Sequence, residues 1–140
     1  MKQLTKEEKV ASFHEAMGLS VDNEARTSLL QLRARLIKEE ASEVDEAIYD
    51  MLLSLNFGKE ISLAQWEHLL KELCDLQYVL SGTIISLRKL NSIPFDIPFN
   101  LVHESNMSKL NDNGEPVKNT EGKVLKGPNY KEPNLKGCIQ

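Results

Sequence analysis

The sequence predicts an all-α fold centred on an antiparallel pair of long helices. Apolar residues recur at spacings of three, four and seven over residues 29–55 and again over residues 69–87. Capping signals precede two of the predicted helices, and a short glycine-containing segment separates the two long apolar patterns. Two long amphipathic helices joined by a short loop form a hairpin.

The first two helices are predicted from their ends. Thr5 followed by Glu8 fits a capping box, so a short helix should begin there and end near Gly18. A second helix should begin within residues 22–27 and stop at residues 56–58, Asn-Phe-Gly. Its predicted apolar face is formed by Leu29, Leu32, Leu36, Ile37, Ala41, Val44, Ile48, Met51, Leu52 and Leu55.

A third helix should begin at Ser62, capped with Gln65 as its partner, and run to about Leu90. Prolines in residues 93–98 break the pattern. Asp96 is then predicted to cap a short fourth helix.

Periodicity is lost after Leu110, where Asn-Asp-Asn-Gly is typical of a turn and a short β-hairpin around Val117–Val124 is expected. We therefore predict an α-helical domain over residues 1–110 and an extended or hairpin tail over residues 111–140 that closes the site. The hairpin of long helices leaves one apolar side uncovered. A second copy of the chain would complete a four-helix bundle, so we expect a homo-oligomer, a dimer or a tetramer.

Composition limits the class of partner. The formal net charge of -4 argues against binding to a nucleic-acid polymer or to an anionic membrane surface. The two cysteines are too few and too far apart for a disulfide scaffold or a zinc site, and no apolar signal or membrane-spanning run is present. We expect a cytoplasmic protein.

Two acidic clusters carry the functional prediction. Glu39, Glu40 and Glu43 can share one side of the second helix, and Glu72 and Asp75 repeat the three-residue spacing on the third. If the helices pack antiparallel, both clusters can converge, and carboxylates brought so close repel one another unless a hard cation is present. Mg²⁺, or alternatively Mn²⁺, prefers such oxygen ligands.

Other interpretations of these carboxylates are a solvated acidic face and a di-iron bundle. The neighbouring apolar positions and the lack of interleaved basic residues disfavour the solvated face, since Lys38 and Lys71 are only adjacent in sequence and adjacent residues do not share a face. A di-iron site would need Glu-x-x-His on the helices, and neither cluster has a histidine at that spacing.

The pattern E-E-x-x-E, then 28 residues, then E-x-x-D resembles the signature of the MazG-type all-α NTP pyrophosphohydrolases, and in particular a phosphoribosyl-ATP-pyrophosphohydrolase-like subgroup. Further similarity lies in Phe13-His14, in residues 75–83, in the segment His-Glu-Ser-Asn-Met-Ser-Lys-Leu at 103–110 and in residues 122–130. Glu104 departs from the subgroup, where arginine is more usual, so the role of that position is open.

The resemblance implies that Glu40, Glu43, Glu72 and Asp75 are Mg²⁺ ligands and that Glu39 belongs to the same cluster. The expected reaction is hydrolysis of an NTP or dNTP to the monophosphate and pyrophosphate, with Glu39 or Glu40 as the general base. The predicted substrate-binding residues are Asn106, Lys109, Lys123, Lys126, Tyr130 and His14. Hydrolysis of phosphoribosyl-ATP and a non-catalytic nucleotide-binding helical module are the alternatives.

Overall fold

A computed structural model describes all 140 residues of the chain. Its regular structure is helical and it contains no sheet, which confirms the predicted all-α class. The chain forms two compact units, residues 1–88 and 89–140. The helices are Lys6–Ala16 (α1), Thr27–Asn56 (α2), Leu63–Ser86 (α3), Arg88–Asn91 (α4) and Asp96–Met107 (α5), and a 3₁₀ turn follows at Lys136–Cys138.

Both predicted capping boxes are formed. The backbone N–H of Glu8 donates to Thr5 Oγ1 at 3.1 Å, and the backbone N–H of Thr5 donates to the Glu8 carboxylate at 2.7 Å. Ser62 and Gln65 make the same reciprocal pair at the start of α3, at 3.1 and 2.9 Å. Such boxes satisfy backbone donors that the first helical turn leaves unpaired.

The antiparallel hairpin of α2 and α3 is tied near each end by a polar side chain. At the connecting loop, Gln65 Nε2 donates to Ser54 Oγ at 2.9 Å and to the Asp50 carbonyl at 3.2 Å. At the other end the buried Arg33 donates to Thr83 Oγ1 at 3.1 Å and to the Val79 carbonyl at 2.9 Å. These two ties favour one register of α2 against α3, because a shift along the axis would leave the buried Arg33 guanidinium unpaired and break the half-buried contacts of Gln65.

The first helix packs on the side of α3 around Ser81 and Gly82. Ser81 is fully buried and donates to the Glu7 carboxylate of α1 at 3.0 Å. A Cβ at Gly82 would lie 2.6 Å from Arg33 Nη2 and 3.3 Å from His14 Nε2. Glycine at this position therefore gives room for both the buried guanidinium and the buried imidazole.

The third helix is shorter than the sequence predicts, because it ends at Ser86 and not near Leu90. Leu87 takes an extended conformation with φ -114° and ψ 110°. The loop before α2 reaches the end of α3, where the N–H groups of Asp22 and Asn23 donate to the Ile85 and Ser86 carbonyls, each at 3.0 Å. These contacts between distant segments satisfy carbonyls that would otherwise extend the helix, so local periodicity could not reveal them.

In the second unit, α5 confirms the predicted short helix, but Asp96 is its first helical residue and not its cap. Phe95 occupies the capping position, with helical backbone angles and no side-chain cap. Asp96 still lies in the first turn, where a carboxylate interacts favourably with the helix dipole.

The tail is bound to α5 through two serine hydroxyls. Buried Ser105 donates to the Lys131 carbonyl at 2.7 Å, and Ser108 Oγ accepts the Lys131 N–H at 3.0 Å. Gly127 lies against the carbonyl of Lys109, where an added Cβ would overlap the backbone oxygen.

Around the predicted hairpin, the only β-type pairing is a single antiparallel bridge between Lys118 and Val124, so the tail is irregular. The predicted division of the chain at residue 110 stays a prediction. No helix in the protein combines the length and the apolar character needed to cross a bilayer.

The buried His14 should make stability depend on pH. Burial lowers the pKa of His14, so the folded chain keeps the ring neutral at pH values where the unfolded chain protonates it. The contribution of His14 to the free energy of unfolding is therefore fully present above roughly pH 6.5. It falls as the pH drops below that value, by at most about 1.4 kcal/mol per pH unit. Urea unfolding at several pH values should show this slope flattened in His14→Gln and kept in His103→Gln, whose ring is exposed. Equal slopes in the two variants would contradict the assignment.

Gly127→Ala should loosen the tail. The added methyl group meets a backbone oxygen that cannot move aside, so we expect a loss of about 1–3 kcal/mol in the stability of this contact. Hydrogen exchange of the backbone amides near Lys131 measures it. Gly137→Ala is the matched control, since a Cβ there meets nothing within 4 Å. Equal protection in both variants would argue against the contact.

Candidate metal centre

Three carboxylates from two helices meet in the middle of the hairpin. Glu40 and Glu43 come from α2 and Glu72 from α3, and one oxygen of each lies within 4.8 Å of the others. Along both helices the cluster falls about midway between the Gln65 tie and the Arg33 tie. The register that these ties fix therefore brings Glu43 opposite Glu72.

Two enclosed oxygens of the cluster have no hydrogen-bond donor. Glu72 is buried, and its Oε2 has no hydrogen-bond partner. Oε2 of the half-buried Glu40 is likewise enclosed and unpartnered. A side-chain interaction with Glu72, and then the charge of Glu40, raises the pKa of Glu43 above its ordinary value. Unpaired buried acceptors and crowded like charges are costly, so this arrangement favours a cation between the carboxylates.

The donor set fits a hard divalent ion. Adjacent oxygen ligands of an octahedral Mg²⁺, each about 2.1 Å from the ion, lie about 3.0 Å apart, so the trio would draw closer together around the ion. All three donors are carboxylate oxygens, and Mg²⁺ and Mn²⁺ prefer such ligands to the softer sulfur ligands. Glu40, Glu43 and Glu72 could therefore hold such an ion.

On the α3 side, the cluster carries partners that sequence reasoning missed. Lys71 Nζ lies 2.7 Å from Asp75 Oδ2 and 3.1 Å from Glu72 Oε1, and His68 Nε2 lies 3.2 Å from the same Glu72 oxygen. Asp75, and to a lesser degree Glu72, raises the pKa of Lys71. The prediction that Lys71 does not pair with these carboxylates is wrong, because its long side chain reaches both Glu72 and Asp75. The i,i+4 spacing of Lys71 with Asp75 and of His68 with Glu72 was the available signal.

Asp75 lies outside the trio, half-buried and paired with Lys71. Glu39, one residue from Glu40, is exposed and also lies outside it. His14, a residue of α1, is buried against α3. Its Nε2 lies near Gly82, and its Nδ1 has no hydrogen-bond partner. The predicted roles of these three residues stay predictions.

The other predicted substrate-binding residues belong to the second unit. Asn106 is exposed near the end of α5, and Lys109 is half-buried just beyond it. Lys126 Nζ lies 4.7 Å from the centre of the Tyr130 ring, a cation–π contact, and Lys123 is exposed. The contact of Gly127 with Lys109 brings these tail residues to the end of α5. Their role with substrate stays a prediction.

An apolar groove of about 400 Å³ lies between α1 and α3, apart from the carboxylates. None of its lining residues belongs to the acidic cluster. They are Lys6, Lys9, Val10, Leu73, Cys74, Gln77, Tyr78 and Ser81.

Fold and site together define an all-α protein with an acidic cluster suited to a divalent cation. Over residues 10–106 the chain matches the family described as phosphoribosyl-ATP pyrophosphohydrolase. The chain belongs to this family, within the MazG-like all-α NTP pyrophosphohydrolase superfamily. Membership implies a hydrolase that acts on phosphoric anhydrides. No curated protein matches the chain.

The raised pKa of Glu43 makes the stability of the metal-free protein depend on pH. A carboxyl group with a raised folded-state pKa stabilises the fold below its unfolded pKa of roughly 4.3, and this contribution is lost as pH rises through the folded pKa. Thermal unfolding in chelator should therefore show a fall in the midpoint across that range. Glu43→Gln should remove the fall, and Glu46→Gln, an exposed position on α2, should keep it. A thermal unfolding midpoint of the wild-type protein that does not change with pH would argue against repulsion of Glu43 by Glu40 and Glu72.

Proposed function

We propose that this chain is a Mg²⁺-dependent nucleoside triphosphate pyrophosphohydrolase, which converts an NTP or dNTP to the monophosphate and pyrophosphate. The observation that carries the proposal is the convergence of Glu40, Glu43 and Glu72 around enclosed, unpartnered oxygens. Membership in a pyrophosphohydrolase family supports the same reaction type. Asp75 completes the proposed ligand set, and Mn²⁺ is an alternative ion.

When bound, a divalent ion supplies charge neutralisation for the phosphates and acidifies a coordinated water. The side chains provide the remaining steps of our proposal. A Glu40 carboxylate that binds the ion through one oxygen can take a proton from the attacking water with the other, and no protein donor contacts its Oε2, so Glu40 is our stronger candidate for the base. Glu39 is exposed and is the second candidate.

Attack at the α-phosphorus breaks the bond to the bridging oxygen, and pyrophosphate leaves with more negative charge than it carried in the substrate. Cationic and amide donors that contact this group therefore stabilise the transition state more than the ground state. We assign this role to Asn106 and Lys109, with help from Lys123 and Lys126. Tyr130 is our candidate for contact with the nucleoside.

Phosphoribosyl-ATP is the second candidate substrate, because the matching family is described by it. The match ends at residue 106, so the tail that carries Lys123, Lys126 and Tyr130 lies beyond it. That difference is our reason to place nucleoside triphosphates first. Clearing of nucleotides from the cellular pool is the corresponding biological role.

We also propose that the protein is a homo-oligomer, a dimer or a tetramer. Large apolar side chains follow one face of α3 at heptad-like spacing and stay exposed: Leu63, Trp66, Leu70 and Leu73. Exposed apolar residues of α2 include Ile48, Leu52 and Leu55. An apolar surface on two neighbouring helices of a small protein is typical of an interface, and a second copy would complete the four-helix bundle.

Activity tests the proposal directly. The purified protein with Mg²⁺ should release pyrophosphate and a monophosphate from one or more substrates in a panel of NTPs, dNTPs and phosphoribosyl-ATP. Glu43→Ala and Asp75→Ala should each lower kcat/KM at least about 100-fold, since each removes a proposed metal ligand. Chromatography of the products gives both the reaction and the preferred base and sugar.

Glu46→Ala is the matched control for these variants, because it removes one exposed glutamate from α2 outside the cluster. It should keep wild-type activity, and circular dichroism should show the same helix content in all variants. Full activity in Glu43→Ala would refute the site. Nucleotide binding without turnover on any substrate would favour the non-catalytic module.

A further inference from the structure

The two oxygens of Glu72 face different surroundings. Oε1 is shared by the neighbouring Lys71 at 3.1 Å and by His68, one turn earlier in α3, at 3.2 Å. Oε2 is buried and has no partner. Glu72 thus has one oxygen satisfied on its own helix and one that is free to bind an ion together with Glu40 and Glu43.

Asp75 is paired with the same lysine that contacts Oε1 of Glu72. Its Oδ2 forms the shortest ion pair of the chain, at 2.7 Å, with Lys71 Nζ. No ion pair joins Lys71 to Glu40 or Glu43, so the ammonium neutralises only the α3 carboxylates. A divalent ion that binds Asp75 through Oδ2 must displace Lys71, and an ion bound through Oδ1 is still repelled by the ammonium on the same carboxylate, so in either mode Lys71 opposes the binding of the ion to Asp75.

We propose that Lys71 is a positioning residue that competes with the divalent ion for Asp75. This inference rests on the proposed function, because it concerns the same metal site. The trio of Glu40, Glu43 and Glu72 is available to the ion in the metal-free protein, whereas Oδ2 of Asp75 becomes available only when the Lys71 ammonium leaves it. Lys71 thereby weakens metal binding and stabilises the acidic hairpin while it is empty of metal.

The strength of this competition follows from exposure. The side chain of Lys71 is 64% exposed and that of Asp75 is 40% exposed, so water screens the pair. Exposed pairs of this kind are weak, and their loss converts to about a two- to five-fold change in an equilibrium constant. Lys71→Met, which keeps the aliphatic stem and removes the charge, should therefore bind Mn²⁺ about two- to five-fold more tightly than wild type.

Isothermal titration with Mn²⁺ alone, without nucleotide, measures this directly. Lys71→Arg keeps the charge and the reach and should bind Mn²⁺ as wild type does. Lys38→Met removes one exposed lysine charge from α2, close in sequence to the α2 carboxylates, and is the control for a general change in field. In an Asp75→Asn background, Lys71→Met should give no further gain.

A second measurement separates competition from a purely structural role. In chelator, Lys71→Met should unfold at a lower temperature than wild type, because the α3 carboxylates lose their counter-ion, and saturating Mn²⁺ should remove the difference. If Lys71→Met does not fold, Lys71→Gln replaces it. A merely structural lysine would lower stability without tightening metal binding.

The outcomes distinguish this inference from the proposed function. Tighter Mn²⁺ binding in Lys71→Met alone supports the competition. If the wild-type protein binds Mn²⁺ and Lys71→Met binds it with the same affinity, the inference is overturned and the metal site remains. An equal gain of affinity in Lys38→Met has the same consequence. Absence of Mn²⁺ binding in wild type and variants overturns both.

Discussion

The register of α2 against α3 is the constraint on which the rest of the structure depends. The half-buried Gln65 at one end and the buried Arg33 at the other make their hydrogen bonds across the hairpin in this alignment of the two helices. The carboxylates lie about midway between these ties, so sliding in either direction is resisted from both ends. Two helices packed by apolar contacts alone could relieve the repulsion among Glu40, Glu43 and Glu72 by a small shift. The polar ties oppose that shift and so keep the like charges of the candidate cation site together.

The same constraint explains why the first helix matters to a site that it does not contribute to. Arg33 is buried against Gly82, and the buried His14 of α1 lies close to the same glycine. A side chain at position 82 would displace either the guanidinium or the imidazole. The glycine thus couples the packing of α1 to the hydrogen bonds that set the hairpin register. His14 matches the family pattern, yet its buried position favours this packing role over contact with substrate.

The carboxylates of α2 and those of α3 also differ in the partners that surround them. Those of α3 have cationic or donor partners within one helical turn, whereas those of α2 crowd one another and Glu72. The acidic centre is therefore neutralised on one side and unsatisfied on the other. An ion entering from solvent meets the strongest unbalanced charge beside Glu40 and Glu43. This asymmetry is the physical basis of our proposal that Lys71, which is not itself a proposed ligand, tunes metal binding at the candidate site.

The sequence by itself determined the helices, their starts at two capping boxes, and the acidic pairs, because these are properties of residues within four positions of one another. Only the tertiary structure decided that α3 ends at Ser86, since the segment around Asp22 and Asn23 binds its last carbonyls. It also decided that Glu72 joins Glu40 and Glu43 while Asp75 pairs with Lys71. Helical spacing places each carboxylate on a face, but side-chain rotamers and neighbours from another helix select its partner. The pair of Lys71 and Asp75 follows a local i,i+4 spacing, whereas the meeting of Glu72 with Glu40 and Glu43 depends on contacts between residues far apart in the chain, which no local pattern encodes.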